Sequence, residues 1–267
     1  QKTCCVDSRI AFCGGVNLVP EACDGTGHED RFLYRPWHDL AAEIEGPVVG
    51  DLEGNFIQRW NEAKESAPWP DAGTAGTLEY PKDALGYRSL STESQQPGTA
   101  RVQLVRTIGS RRYSKDLDVP GPGLARPGIR RGESSLVEAY LELLGGAEES
   151  LYLENQYFFF EIGFFRMNAI PRRYRTRGPG GKTQHVLTRA VQQATERGVC
   201  VWLVLPGTPQ FRGTHRRHLE MLRGCRQERL GLFSLAGQYH SLAAGPYVRD
   251  IYVHSKLFLA DKKRVCV

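Results

Sequence analysis

An α/β layered fold built as two related halves is what this sequence predicts, on three observations. From Ser134 to Val267, amphipathic helical segments alternate with short apolar runs, the rhythm of helices laid against a sheet. The pattern Lys, four mainly apolar residues, Asp occurs at both ends, as Lys2 to Asp7 and as Lys256 to Asp261, each followed by a basic turn and a further strand. A repeat of this kind points to two homologous halves, each ending in the same hairpin. Between them Pro120 to Gly132 (PGPGLARPGIRRG) breaks both helix and strand.

The elements follow in order. Lys2 to Gly15 reads as a buried hairpin, two apolar runs joined by Asp7, Ser8 and Arg9. Asp51 to Lys64 is helical, with Leu52, Phe56 and Trp60 four residues apart on one face. Pro, Gly, Ser and Thr dominate Ser66 to Gln96, a long loop, and Val102 to Ile108 is a strand. Beyond the linker, Ser134 to Leu144 is helix, Leu151 to Phe160 strand, Val186 to Arg197 helix, Val199 to Leu205 buried strand and His215 to Arg223 helix. Ile251 to Ala260 and Arg264 to Val267 close the chain as strands. The expected organisation is a first half at 1–118 with an insertion at about 63–98, a linker at 119–133, and a second half at 134–267, cut at its C-terminus.

Composition narrows the function classes. Apolar residues make up 40% and charged residues 24%, as in a chain that buries a core. No apolar run reaches the roughly 20 residues a membrane-spanning helix needs. The formal net charge of +5 favours a phosphate-bearing partner. Seven cysteines with no CxxC pair argue against a zinc ribbon or a disulfide framework. Cys13, Cys200 and Cys266 read as small buried thiols in a reducing compartment.

The repeated hairpin carries the chemistry. His254 precedes the second copy, giving His-x-Lys-x4-Asp. Residues two apart on a strand share a face, so His254 and Lys256 point the same way. A histidine titrates near neutrality and suits a nucleophile or a general acid. A lysine supplies a fixed charge for an anionic phosphate. Asp261 falls on the opposite face and braces the turn. Two copies would supply two His and two Lys, one His attacking phosphorus while the other protonates the leaving oxygen. His28, His38, His185, His215, His218 and His240 gain no comparable support. Gly181-Lys182-Thr183 fails as a phosphate loop because Thr176 stands where a Gly is required.

With these motifs the chain resembles the phospholipase D superfamily, whose members carry two His-x-Lys-x4-Asp motifs on a pseudo-twofold α/β scaffold. Gly14-Gly15-Val16-Asn17 is similar to the extension that follows the family's first motif. Trp37-His38-Asp39, Ile44-Glu45-Gly46-Pro47, Phe56 to Asn61, Arg101 to Arg106 and Leu153-Glu154-Asn155-Gln156-Tyr157-Phe158 follow in the order shown by the phosphatidylcholine-cleaving branch. The resemblance implies two α/β/α sandwich halves with the active site at their interface. It implies that the first-motif His, the family's covalent nucleophile, precedes Gln1, so that the sequence as given is inactive alone. His254 is then the general acid, Lys2 and Lys256 clamp the phosphoryl oxygens, and Asn17 adds a donor. Asp39 is expected to orient the first-motif His, with the acid serving His254 beyond Val267. Asp7 and Asp261 complete the catalytic set that the resemblance implies, and Glu154, Asn155 and Gln156 shape the pocket wall.

The function so implied is headgroup cleavage of a glycerophospholipid, phosphatidylcholine to phosphatidate and choline, with transphosphatidylation as a side reaction. It calls for no metal and no cofactor, and leaves activation by calcium or phosphoinositides open. The partner is a phospholipid membrane surface met peripherally, the expected location is cytoplasmic or peripheral to a membrane, and no nucleic acid is expected. Arg172 to Lys182 is a basic loop that could meet anionic headgroups. Two rivals remain at this point: a nuclease or phosphatidyltransferase on the same scaffold, and an inactive binding homologue.

Overall fold

The computed structural model describes residues 2–22, 36–65, 98–113, 131–157, 174–177, 183–208, 220, 222–241 and 245–267. Nearly all of the insertion and the linker, most of the helix expected at His215 to Arg223, Phe158 to Phe165 and most of the basic loop lie outside the described residues, as does His28.

The fold is mixed α/β. Its elements are β1 (Thr3–Val6), β2 (Ile10–Gly14), β3 (Trp37–His38), β4 (Ala41–Glu45), α1 (Val49–Glu65), β5 (Thr107–Ile108), β6 (Glu133–Ser134), α2 (Ser135–Gly145) and β7 (Ser150–Asn155). They continue as β8 (Arg175–Arg177), β9 (Thr183–His185), α3 (Val186–Glu196), β10 (Cys200–Val204), β11 (Leu230–Phe233), β12 (Leu235–Ser241), β13 (Gly245–Val253), β14 (Lys256–Ala260) and β15 (Arg264–Cys266). The chain divides into two compact units, one comprising Thr3–Cys13 and Ala42–Leu136, the other Lys2, Gly14–Ala41 and Val137–Val267.

In the first unit β1, β2 and β4 form a three-stranded sheet, and Ala11, Val49 and Leu52 make a small apolar core. The hairpin is there, but it is half-buried: Val6 and Phe12 face outward, and Cys4 is exposed. Helix α1 corrects the expected stripe. Leu52 is buried, whereas Phe56 is 46% exposed and the polar Asn55 and Gln58 turn inward. The reason is Arg106, buried beside them. Its guanidinium donates to Asn55 Oδ1 (3.0 Å), Gln58 Oε1 (2.8 Å) and Glu133 Oε2 (2.8 Å). A buried cation holds only where each donor is met, so α1 presents amides rather than rings. The same residue ends the strand expected over Val102 to Ile108. Arg106 N donates to Ser135 Oγ at 3.0 Å, and only Thr107–Ile108 pairs, with Glu133–Ser134.

The second unit is built on a sheet in the order β11-β10-β7-β14-β15. β7, β10 and β11 run parallel, and β14 turns antiparallel to β7. Leu151, Leu153, Val201, Leu203, Phe258 and Ala260 form a buried face packed with Leu143 and Leu144 of α2 and with Leu187, Val191 and Ala194 of α3. Tyr140 stacks on Phe258 with centroids 4.1 Å apart. Alternation sends Tyr152 and Glu154 to the opposite face. A second sheet, β12-β13-β3, brings Trp37 and His38 into parallel register with Tyr252 and Val253.

Ile251 to Ala260 is two strands rather than one. The chain leaves β13 after Val253 and re-enters as β14 at Lys256, because the N–H groups of both His254 and Ser255 go to the carbonyl of His38, at 2.8 and 3.0 Å. Cys13, Cys200 and Cys266 are half-buried rather than fully enclosed, and no disulfide joins the described cysteines.

Candidate active site

The second unit gathers the site around His254, which is 6% exposed. Its Nδ1 lies 2.6 Å from Asp39 Oδ2. A carboxylate only accepts, so Nδ1 carries the proton and Nε2 is left for a reactant. Asp39 is held in turn: its Oδ1 accepts Leu40 N at 2.9 Å. Gly15 explains how the carboxylate fits, since a β-carbon there would stand 2.1 Å from Asp39 Oδ1. Gly14 is as tightly placed, its missing β-carbon 2.4 Å from the Leu40 carbonyl. Trp37 stacks on the His254 ring, with centroids 4.5 Å apart and planes 21° from parallel.

Lys256 stands beside the imidazole. Its Nζ donates to the His254 carbonyl and lies 3.3 Å from Nδ1. His254 and Lys256 therefore meet as expected, though through a break in the strand instead of its alternation. Burial pushes the Lys256 ammonium down to about 8, with the charge of Lys2 adding to the fall and Asp39 opposing it. Burial likewise lowers His254, the Asp39 bond opposes, and Lys256 and Lys2 lower it further. Lys2 is thus in electrostatic reach of both groups. Among the described residues no set of three or more His, Cys, Asp or Glu side chains is gathered as metal ligands would be.

Beside this cluster, Glu154 faces His38 Nε2 at 2.9 Å through one oxygen and accepts the Tyr152 hydroxyl at 2.5 Å through the other. Burial alone would raise Glu154, but hydrogen bonds led by that of His38 outweigh it and hold the carboxyl at about 2. Asn155 Oδ1 accepts Tyr157 N at 3.1 Å, and Gln156 Nε2 donates to Tyr252 Oη at 2.9 Å. Asn17 is half-buried in the loop after β2, and the described contacts do not join it to His254 or Lys256.

Four expectations are corrected. Asp39 orients His254, so the acid serving this histidine lies within the chain and not beyond Val267. Asp261 is taken off the catalytic set, because its Oδ1 accepts Glu149 N and Ser150 N, both at 2.9 Å, and its Oδ2 accepts Glu148 N at 3.1 Å. Asp7 is an exposed turn residue with φ of 51°. His38, set aside with the unsupported histidines, turns out to hold Glu154 and the backbone of His254. Its one sequence signal was its place between Trp37 and Asp39.

A family model described as phospholipase D matches residues 23–165, just over half of the chain, a span that holds Asp39 and Glu154 but not His254. The chain belongs to the phospholipase D family. It is similar to phospholipase D1 of Cricetulus griseus, 26% identical over 264 residues that cover 87% of this chain and 22% of that protein. It is also similar to phospholipase D gamma 3 of Arabidopsis thaliana, 27% identical over 59% of this chain and 23% of the relative. Phospholipase D alpha 1 of Cynara cardunculus is 30% identical over 56% of this chain and 21% of the relative. The chain thus spans about a fifth of the length of these relatives.

Proposed function

We propose that the protein containing this chain is a phospholipase D that hydrolyses the distal phosphodiester of a glycerophospholipid, phosphatidylcholine first, through a phosphohistidine intermediate. The observation that carries the reading is the buried Asp39–His254 pair at 2.6 Å with Lys256 against it. An imidazole whose tautomer is set by a carboxylate can pass a proton through Nε2. The lysine supplies charge where a phosphoryl group would gather it.

In the first step Nε2 of the first-motif histidine, expected just before Gln1, attacks phosphorus and the bond from phosphorus to the headgroup oxygen breaks. His254 gives its Nε2 proton to that oxygen, so choline leaves as the alcohol. In the second step His254 takes a proton from water, the hydroxyl oxygen bonds to phosphorus, and the P–N bond breaks to release phosphatidate. A primary alcohol in place of water gives the transphosphatidylation product. Burial lowers the His254 imidazole, the Asp39 bond opposes it, and the two lysines lower it further. The negative charge of a bound diester offsets those lysines and favours the protonated acid that the first step needs. Lys2, Lys256 and Asn17 are assigned to the phosphoryl oxygens, and a membrane surface is the partner.

The test is phosphatidylethanol formation by the full-length protein from phosphatidylcholine vesicles with ethanol. H254A abolishes it, and D39N lowers turnover by roughly 10⁴-fold, the loss expected when the acid behind a catalytic imidazole loses its charge. Activity that survives H254A refutes the reading.

A further inference from the structure

Glu154 is a carboxylate without a task in the chemistry above. It is 6% exposed, and both its oxygens are engaged, one by His38 and the other by Tyr152. Such a charge is costly to bury unless it is paired. What it holds is informative. His38 stands on β3 in register with Val253, and its carbonyl accepts the N–H groups of both His254 and Ser255. The next residue, Asp39, holds the His254 ring. One residue therefore has its ring tied to β7, its carbonyl tied to the backbone of His254, and its successor tied to the imidazole of His254. A shift of His38 moves both holds together.

We propose that His38 and Glu154 are positioning residues for His254, a charged pair that keeps the Asp39-bearing end of β3 in register with the sheet carrying Lys256. The inference rests on the role proposed above for His254. It also gives activity a dependence on the protonation of His38. Among the described side chains the charged groups facing His38 are Glu154 on β7 and the adjacent Asp39. The Glu154 hydrogen bond is the largest influence and raises the histidine, burial opposes it, and the Glu154 and Asp39 charges raise it further. Asp39, Lys256 and Lys2 face His254 itself. Protonated His38 makes a charge-assisted bond. Neutral His38 still donates through Nε2, but such a bond is about half as strong. The hold loosens as pH rises through the titration of His38.

The experiment measures kcat and KM for phosphatidylcholine hydrolysis by the full-length protein from mildly acid to mildly alkaline pH, for wild type, H38A, H38Q, E154Q and H254A. H38A is expected to lose about 10²-fold in kcat, the scale of a misplaced catalytic group, with KM unchanged because the lysines remain. H38Q, which keeps only a neutral donor, holds the lowered kcat of the alkaline wild type across the whole range and lacks the decline that His38 imposes. E154Q shows the same flattened profile, and it decides together with H38Q if H38A fails to fold. Wild-type alkaline limbs in both H38Q and E154Q, with H254A inactive, overturn this inference alone. Activity in H254A overturns the role of His254 and this inference with it.

Discussion

At the scale of single residues, the site depends on a group that is absent. Gly15 lets the Asp39 carboxylate lie where a β-carbon would stand 2.1 Å away. G15A would push the carboxylate off His254 Nδ1 while leaving the sheet intact. Turnover of the full-length enzyme is expected to fall about 10²-fold with little change in thermal stability, and a wild-type rate would show that the carboxylate relocates freely. Gly15 and Asp39 were both legible as motif positions. Their partners were not, because the Asp39–His254 contact joins residues 215 positions apart and no local pattern encodes it. Sequence alone therefore pairs Asp39 with the first-motif histidine, whereas the fold pairs it with His254. His38 was passed over because a histidine between an aromatic and an acid has no periodicity of its own.

Among the elements, the two hairpins that suggested a repeat share their geometry. Val6 pairs with Ile10 as Ala260 pairs with Arg264, and Cys4 with Phe12 as Phe258 with Cys266. Each turn places two residues at positive φ, Asp7 and Ser8 in one, Asp261 and Lys262 in the other. Each closes with an N–H to C=O bond of 3.0 Å, from Arg9 to Val6 and from Lys263 to Ala260. Two left-handed residues in succession give the turn twist that matches the strands. The turns differ in what the aspartate does. Asp261 receives the backbone N–H groups that open β7, with that of Ser150 the strongest influence, and they hold its carboxyl at about 2, below its ordinary 3.8. The folded state therefore binds this proton less readily than the unfolded chain, so Asp261 stabilises the fold above about 3.8 and loses that effect as pH falls through about 2. Urea titrations of D261N against wild type should show the variant less stable near neutral pH and the gap closing in acid. A gap that persists at the lowest pH would mean the aspartate acts by packing.

Across the whole molecule, the two units are stabilised by different means. The second has a broad apolar core, and F258A, which would empty a side chain that is 1% exposed, should cost about 3–5 kcal/mol. Among the described residues the first has a small apolar cluster, Ala11, Val49 and Leu52, and a buried arginine answered by Asn55, Gln58 and Glu133. R106M removes the cation and leaves the Glu133 carboxylate without it. The expected loss is about 3–5 kcal/mol, read by chemical denaturation. A neutral outcome would show that the polar cluster contributes specificity instead of stability. The contrast explains which part of the fold was legible. Leu151 to Leu153, Val186 to Glu196 and Val199 to Leu205 announce an apolar core by period. Asn55, Gln58 and Arg106 form a core from residues that such a reading sends to the surface, and so Phe56 was given the wrong side of its helix.

The stacking of Trp37 on His254 gives the protein an intrinsic optical probe. An imidazolium laid on an indole quenches its emission, whereas a neutral imidazole does so far less. Proton uptake by His254 should therefore dim Trp37, and a W37F control would isolate that signal from the other tryptophans. The protonation state of His254, the general acid of the proposed reaction, could then be followed in real time as a phosphodiester is added.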